Sequence, residues 1–434
     1  MSHHDMVVNA ISAMLDEVEP LVTADCCIYK VPSVIGRLSD HAYTPKVISI
    51  GPFHHRHDHH PRLQNMERHK LIYFKAFLQT TDSTLQTLIH YIDSIIPNFR
   101  RCYSETLDFT DQDLVKLILI DSGFIIELFW RYYDHDWSQD DDFLLKPWLA
   151  SHIRLDLLLL ENQLPFFVVE KIFNICFTTS TSTHANDMTK IPSFLELTFE
   201  YFACYNKSNL VSDKGDISIR HFTDLIRIFH LQHPLERRPR RIDKPMEHLH
   251  CVTELLEAGV RFKVNTESEC LLDLRFSGRV LEIPQLKVED CTEILFRNMV
   301  ALEQCHYPKE SYITDYVAVL DFLINTGRDV DILVQKGILV NWLGDSDSVA
   351  NLVNSLWKNV THSYFNSHYS KLCEDLNGFC SDPLHILKAT LRRDYCSSPW
   401  QTAASIAGIL LLILSLIQSV CSVLQVLPRQ VLPK

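Results

Sequence analysis

Five histidines fall within seven residues, at His54, His55, His57, His59 and His60 of the stretch GPFHHRHDHH. Neutral imidazole is a good ligand for zinc, copper or nickel, and three such rings could hold one ion. Neighbouring loop histidines seldom converge without carboxylate or cysteine ligands from elsewhere. The expected state of residues 54–60 is a solvated loop with incidental metal affinity, and no metal is assigned to it. Asp121, Asp156 and Glu161 offer a different chemistry, because each carboxylate stands in a strongly apolar stretch. Two such groups whose pKa values are driven apart can act as general acid and base, so a hydrolase using Asp121 or Glu161, with His221 as a further base, is one reading. Asp156 and Glu161 are five residues apart, which at about 100° per residue places them on different helix faces. Buried carboxylates more often satisfy helix ends and ion pairs, since each needs a partner whatever its function. Cys305 and His306 do not form a dyad, because neighbours on a helix point apart. GxSxG and HExxH do not occur, so the protein is expected not to be an enzyme, and no catalytic residue is assigned.

The elements that must position these groups are mostly helical. LVKLILIDSGFIIELFW (114–130) is apolar almost all round but contains Lys116, Asp121 and Glu127, which predicts a buried core helix rather than a membrane span. LDLLLLENQLPFFVVEKIFNICF (155–177) has the same character, and Pro165 must break it. ENQLPFF then reads as a corner between helices, with Glu161, Asn162 and Gln163 supplying polar groups to the helix ends. IRHFTDLIRIFHL predicts another helix, and Asp290 with Glu293 a capping-box start for EILFRNMVALEQ. Gly259 reads as a helix stop before a strand at 260–264, and LLDLRFSGRVLEIP as two strands around a Ser277-Gly278 turn. Further breaks are expected near Gly327, Gly337 and Gly344. The expected fold is mainly α: a multi-helix bundle with a small antiparallel β element and one C-terminal transmembrane helix.

Composition narrows the function classes. Forty-one basic residues against 54 acidic ones give a net charge of −13, the wrong sign for a nucleic-acid binder. The one basic run, Arg237, Arg238, Arg240, Arg241 and Lys244, is interrupted by prolines and reads as an exposed linker. Only 11 glycines occur, with no GxGxxG or GxxxxGK[ST] phosphate loop, so nucleotide chemistry and other cofactors are not expected. The 13 cysteines include no CxxC, which leaves zinc knuckles and thioredoxin-like redox motifs unsupported.

From Ala403 to Leu427 no charge appears. At about 1.5 Å per residue, 25 residues span ~37 Å against a hydrocarbon core of ~30 Å, enough to cross with some tilt. Trp400 and Tyr395 stand where interfacial aromatics belong. Lys388, Arg392 and Arg393 before the span outnumber Arg429 and Lys434 after it, slightly favouring a cytosolic body in the plasma membrane or an endomembrane. The sequons at Asn206 and Asn359 would be used only if the body faced the lumen or the exterior. The expected organisation is an N-terminal helix or tail (1–27), one helical domain (28–398) with loops near 178–190 and 235–246, a membrane helix (400–427) and a tail (428–434). The amino terminus lacks a basic region followed by a continuous apolar run, so no secretory signal is expected.

The stretches IYKVP, AYTPKVISIGPFHH, LQNMERHKLIYFKAFL, DSGFIIELF, DLLLLENQLPFF, GVRFKV, LEIPQL, RNMVALEQ and RDYCSSPWQTAASIAG occur in this order. Together they resemble the plant-specific family catalogued as domain of unknown function 247. The resemblance runs from about Ile28 to the C-terminal span and implies one terminal membrane helix. It marks Pro32, Tyr43, Pro45, Gly51, Pro52, His54, Asp121, Glu161, Asn162, Gln163, Leu164 and Pro165 as motif positions. Ser122 stands where the family usually has a cysteine. The family has no accepted enzymatic activity, and its members at grass self-incompatibility loci or associated with defence imply recognition. Three functions are therefore compatible with the sequence. The favoured one is a membrane-anchored recognition or scaffold protein binding an unidentified protein partner, with the bilayer engaged through residues 400–427 and no nucleic acid or small-molecule substrate. The others are a hydrolase built on Asp121 and Glu161, and a metal-binding protein using the 54–60 loop.

Overall fold

The computed structural model describes residues 3–16, 24–55, 61–81, 83–135, 137, 146–177, 191–212, 218–244, 248–362, 364–382 and 399–426. Histidines 57, 59 and 60, the 178–190 loop, Tyr395 with the basic residues before the span, and the tail after it lie outside these residues. The described residues contain sixteen helices and seven short strands. In the first half, α1 (His3–Asp16), the single turn α2 (Ser33–Gly36), α3 (Pro61–Thr80), α4 (Leu85–Arg101), α5 (Asp111–Asp134), α6 (Pro147–Asp156), α7 (Phe166–Phe177), α8 (Phe194–Tyr201) and α9 (Phe222–His230) follow one another. Strand β1 (Arg241–Ile242) and helix α10 (Val252–Ala258) lead into β2 (Arg261–Val264), β3 (Arg275–Ser277), β4 (Val280–Ile283) and β5 (Leu286–Val288). Then come α11 (Thr292–Cys305), α12 (Tyr312–Leu323), α13 (Gly327–Gln335), β6 (Leu339–Asn341), α14 (Ser346–Trp357), β7 (Phe365–Asn366), α15 (Ser367–Ser381) and α16 (Pro399–Val426).

Helix α5 is the axle of the first half and packs against α3, α4, α7 and α8. Its apolar residues from Leu114 to Phe129, Ile120 excepted, are buried with Asp121 and Glu127 among them, as expected for a core helix, while Lys116 reaches solvent. Thr110 caps its first turn by accepting a hydrogen bond from the Asp113 N–H at 3.2 Å. Gly123 lets α3 approach closely, since a Cβ there would lie 2.3 Å from a Phe74 ring carbon. The second half packs α11 against α9, α12 and α14, with α13 against α10 and α14. One continuous apolar cluster joins both halves.

The β element is small. Strands β3 and β4 form the antiparallel hairpin expected around Ser277-Gly278, and β2 adds to β4 in parallel. Strands β5 and β6 pair in parallel, and β1 and β7 antiparallel. Two local expectations need revision. Helix α6 ends at Asp156, so the corner expected from Glu161 begins at Leu157, because residues 157–165 turn and give their polar groups to neighbouring segments. Asp290 and Glu293 do not box the start of α11: the Glu289 N–H bonds Thr292 Oγ1, and Glu293 instead accepts from Ser39 and Arg297. The basic run is also partly built in, since Arg241 pairs with Asp315 and bonds Ser311 Oγ at 2.7 Å. The Asp315 carboxylate also accepts from the Asn366 N–H at 3.0 Å and lies 2.7 Å from His362 Nε2.

Candidate functional site

The motif positions converge where residues 45–54 cross the turn between α6 and α7. Among the described residues this crossing segment has no strand partner, so its backbone N–H groups are satisfied by side chains. Asp156, at the end of α6, accepts from the N–H groups of Lys46 (3.0 Å), Val47 (2.7 Å) and Ile48 (2.9 Å). Asn162 continues the row, accepting from the Ile50 N–H at 2.7 Å while donating to the carbonyls of Ile48 (3.0 Å) and Asp156 (2.8 Å). Asp121 accepts from the next donor, the Gly51 N–H, at 2.8 Å. Gly51 has a φ of +72°, and a Cβ there would stand 2.3 Å from the Gln163 carbonyl oxygen, so both conformation and space require glycine.

Gln163 ties the turn to the next layer. Its amide donates to the Leu157 and Leu159 carbonyls at 2.7 and 2.8 Å, and its Oε1 accepts from the Phe222 N–H of α9 at 2.9 Å. Its backbone carbonyl accepts from Tyr103 Oη at 3.0 Å. Glu161 faces the surface side, where it accepts from the Val31 N–H at 2.8 Å and lies 3.6 Å from Lys30 Nζ and 3.4 Å from His54 Nε2. His54 is buried, whereas His55 is exposed. Among the described residues no group of three or more histidine, cysteine and acidic side chains could hold a metal ion.

Charge in the hub follows from burial and its compensation. Lys70 is 0% exposed, and its Nζ sits 2.7 Å from both Asp121 Oδ1 and Glu67 Oε1. Burial disfavours its charge, but Asp121 and Glu67 outweigh burial and hold the ammonium above its ordinary pKa. Burial lifts Asp121 above the usual aspartate value against the opposing pull of Lys70. Asp156 is pushed up to about 6 by burial, against the pull of its three backbone donors. Burial also pushes Glu161 up, but hydrogen bonds from His54 and the Val31 N–H, with the Lys30 charge, leave it below the usual glutamate value.

The structure brings Gly51, His54, Asp121, Glu161, Asn162 and Gln163 into one network. Pro45, Pro52, Leu164 and Pro165 are buried within it. Pro32 and Tyr43 stand at its rim, Pro32 preceding α2 and Tyr43 packed with Leu159, Leu160 and Ile294. Glu161 lines a surface cavity of about 490 Å³ with Lys30, Arg37, Asp40 and Tyr43. Asp121 and His221 do not line that cavity. His221 is buried as the cap before α9, where its Nε2 bonds the Cys27 carbonyl at 3.0 Å and its Nδ1 accepts from the Asp224 N–H at 3.3 Å. Burial lowers its pKa to about 3, so the ring is neutral.

Lys70 and Asn298 also belong to the hub. Lys70 had a signal: it takes the middle place in the buried series Leu63, Met66, Lys70, Tyr73 and Phe77, spaced like a helix core stripe. Asn298 accepts from the Leu160 N–H at 2.9 Å and donates to Ala42 O at 2.8 Å, closing the hub against α11. Its place in RNMVALEQ carries no comparable signal.

The family model described as a plant protein of unknown function, domain of unknown function 247, matches residues 28–414. The chain belongs to that family. The UPF0481 protein At3g47200 of Arabidopsis thaliana is 28% identical to it, over 93% of this chain and 87% of the relative. The putative UPF0481 protein At3g02645 of the same plant is 23% identical, over 95% of this chain and 93% of the relative. No solved structure is significantly similar to the chain. In this member of the family, the motif around residues 161–165 holds the crossing segment in place.

Proposed function

We propose that this protein is a membrane-anchored recognition or scaffold protein whose helical body binds a protein partner in signalling, self-incompatibility-type recognition or defence. The observation that carries the anchor is α16. It includes a 21-residue window from Thr402 to Ser422 long and apolar enough to cross a bilayer, none of it buried against the body. A soluble core helix would bury such a surface. Trp400 is 85% exposed at its start, the place of an interfacial aromatic.

The non-catalytic reading of the body is supported by the hub. Asp121 and Glu161 spend their oxygens on backbone donors and ion pairs, and His221 is neutral and bonded on both ring nitrogens. A cytosolic body is supported by the sequons. The Asn206 amide donates to Leu210 O at 2.7 Å and the Asn359 amide to Val34 O at 2.9 Å, so both side chains serve the fold.

Alkaline carbonate extraction of membranes from plant cells expressing the full chain tests the anchor. Retention, with no glycosidase-sensitive mass shift and with the body open to protease added from the cytosolic side, agrees with the proposal. A shift that disappears in Asn206→Gln and Asn359→Gln would move the body to the other side, and loss from the membrane fraction would overturn the anchor. Partner capture by the anchored body then tests recognition.

A further inference from the structure

Cys27 and Cys102 meet at the junction of the N-terminal segment with the end of α4. The N–H groups of Cys27 and Ile28 both bond the Cys102 carbonyl, each at 2.9 Å, and Ile28 pairs with Tyr103 as a parallel bridge. Paired backbones lie about 4.8 Å apart, which places these two cysteines within the ~4.4–6.8 Å between Cα atoms that a disulfide spans. In a parallel pair, residues opposite one another carry their side chains to the same face, so the register Ile28–Tyr103 sets the Cys27 and Cys102 side chains side by side, and both are buried. Cys102 Sγ in turn lies 3.3 Å from the Asn98 carbonyl it donates to. Adjacent residues of an extended segment point to opposite sides, so Cys26 turns away from this pair.

We propose that Cys27 and Cys102 are a disulfide-forming pair, closed by a low-molecular-weight disulfide oxidant of the glutathione class. The sulfur of Cys102, as thiolate, attacks one sulfur of glutathione disulfide, forming a mixed disulfide and releasing one glutathione thiolate. The sulfur of Cys27 then attacks Cys102 Sγ and releases the second. The two protein thiols are oxidised by two electrons, glutathione disulfide is reduced to two glutathiones, and the protons of both cysteines end on them. The neighbouring Cys27 thiol, with the Arg101 and Arg220 charges, holds the Cys102 thiol below its ordinary pKa against the opposing effects of burial and Asp25. Both cysteines are buried, but Ala24 and Asp25, just upstream of Cys26 and Cys27, are exposed, so the oxidant would reach the pair when this end of the segment lifts.

The bond would close a ring running from the start of the body to the end of α4. That ring contains the crossing segment held by Asp156 and Asn162. The segment carrying Cys27 also supplies the carbonyl that orients His221. Oxidation would therefore staple the hub at the loss of the Cys102 Sγ–Asn98 hydrogen bond, and its stabilisation would come from restricting the unfolded chain. The pairing stands whichever side of a membrane the body occupies, although the compartment decides how often it closes.

The test incubates the purified full chain in detergent with glutathione buffers from fully reduced to fully oxidised. Samples are quenched in acid, alkylated under denaturing conditions and mapped as peptides without reduction. The expected result is a dominant Cys27–Cys102 linked peptide in oxidised buffer and a melting midpoint raised by several degrees. Cys26→Ala and Cys305→Ala keep the link, and Cys27→Ala and Cys102→Ala lose it. Full alkylation of Cys27 and Cys102 in oxidised buffer would overturn the proposal, as would a link from Cys26 to Cys102 or Cys305. If the Cys27 or Cys102 variant fails to fold, the wild-type peptide map decides alone.

Discussion

Replacing Asp121 with asparagine removes a charge that keeps Lys70 ionised inside the core. An ammonium left with only the surface-facing Glu67 is costly, so Asp121→Asn should destabilise the body by about 3–5 kcal/mol in denaturant unfolding. Removing both charges, as in Lys70→Met with Asp121→Asn, which keeps an acceptor for the Gly51 N–H, should recover most of the charge penalty. A variant Asp121→Asn as stable as the wild type would sink the structural role of this pair. His221 gives a pH prediction. Its folded pKa lies near 3, below the ordinary histidine value, so the unfolded chain takes up a proton that the folded chain refuses. This stability is present above about pH 6.5 and is lost as pH falls toward 3, by about 1.4 kcal/mol per unit. In His221→Gln that component vanishes, because glutamine does not titrate. Unfolding measured at pH 6.5 and 4.5 should therefore show the wild type losing about 2–3 kcal/mol more than the variant. Equal losses in the two proteins would contradict the buried neutral ring. Both sites were visible as residue types in the sequence, but only their partners decide between catalysis and support.

At the scale of elements, α3 and α5 illustrate how close packing depends on one missing side chain. Gly123→Ala would place a methyl 2.3 Å from the Phe74 ring and 3.2 Å from Phe77. Alanine favours a helix over glycine by about 1 kcal/mol, but overpacking two aromatic rings should outweigh it by about 1–3 kcal/mol. A lowered melting midpoint checks this, and an unchanged or raised one would show that α3 yields freely. The neighbouring Ser122 presents the opposite case. Its hydroxyl is buried and has no hydrogen-bond partner among the described residues. Ser122→Ala should be neutral or stabilising by about 1 kcal/mol, and a Ser122→Ala variant losing more than that in unfolding would reveal a bond to this hydroxyl. The helical periodicity and the apolar surroundings of α5 were legible because they are local properties. The end of α6 at Asp156 was not, because the turn is stabilised by donors more than a hundred positions away in the chain.

For the whole molecule, the decisive feature is one apolar core shared by both halves of the body. It is reinforced by the buried pair of Arg227 on α9 and Glu303 on α11, 2.9 Å apart, with Glu303 also accepting from the Ile313 and Thr314 N–H groups. The body should therefore unfold in a single transition, with coincident fluorescence and circular dichroism curves. Two separated transitions would show that the halves are independent. Glu303→Gln removes the charge partner of Arg227 and should cost about 3–5 kcal/mol while keeping that single transition. Metal analysis of the purified full chain should give substoichiometric zinc, copper and nickel, and one equivalent of any of them would revive the histidine-loop reading.

The sequence by itself determined the helical class, the apolar terminal helix, the hairpin at Ser277-Gly278 and the family. Each of these depends on a periodicity, a run or an ordered set of motifs confined to short stretches of chain. It also marked Asp121, Asp156 and Glu161 as carboxylates in need of partners, since an apolar neighbourhood makes that need local too. Only the tertiary structure decided which partners they found. Lys70 comes to Asp121 from another helix, the Val31 N–H to Glu161, and the N–H row of 46–48 to Asp156, all over long sequence separations. The same holds for Cys27 and Cys102, which are distant in the chain and come side by side only because a backbone bridge forms between Ile28 and Tyr103. A buried polar group requires satisfaction wherever it lies, but the group that satisfies it is chosen by packing.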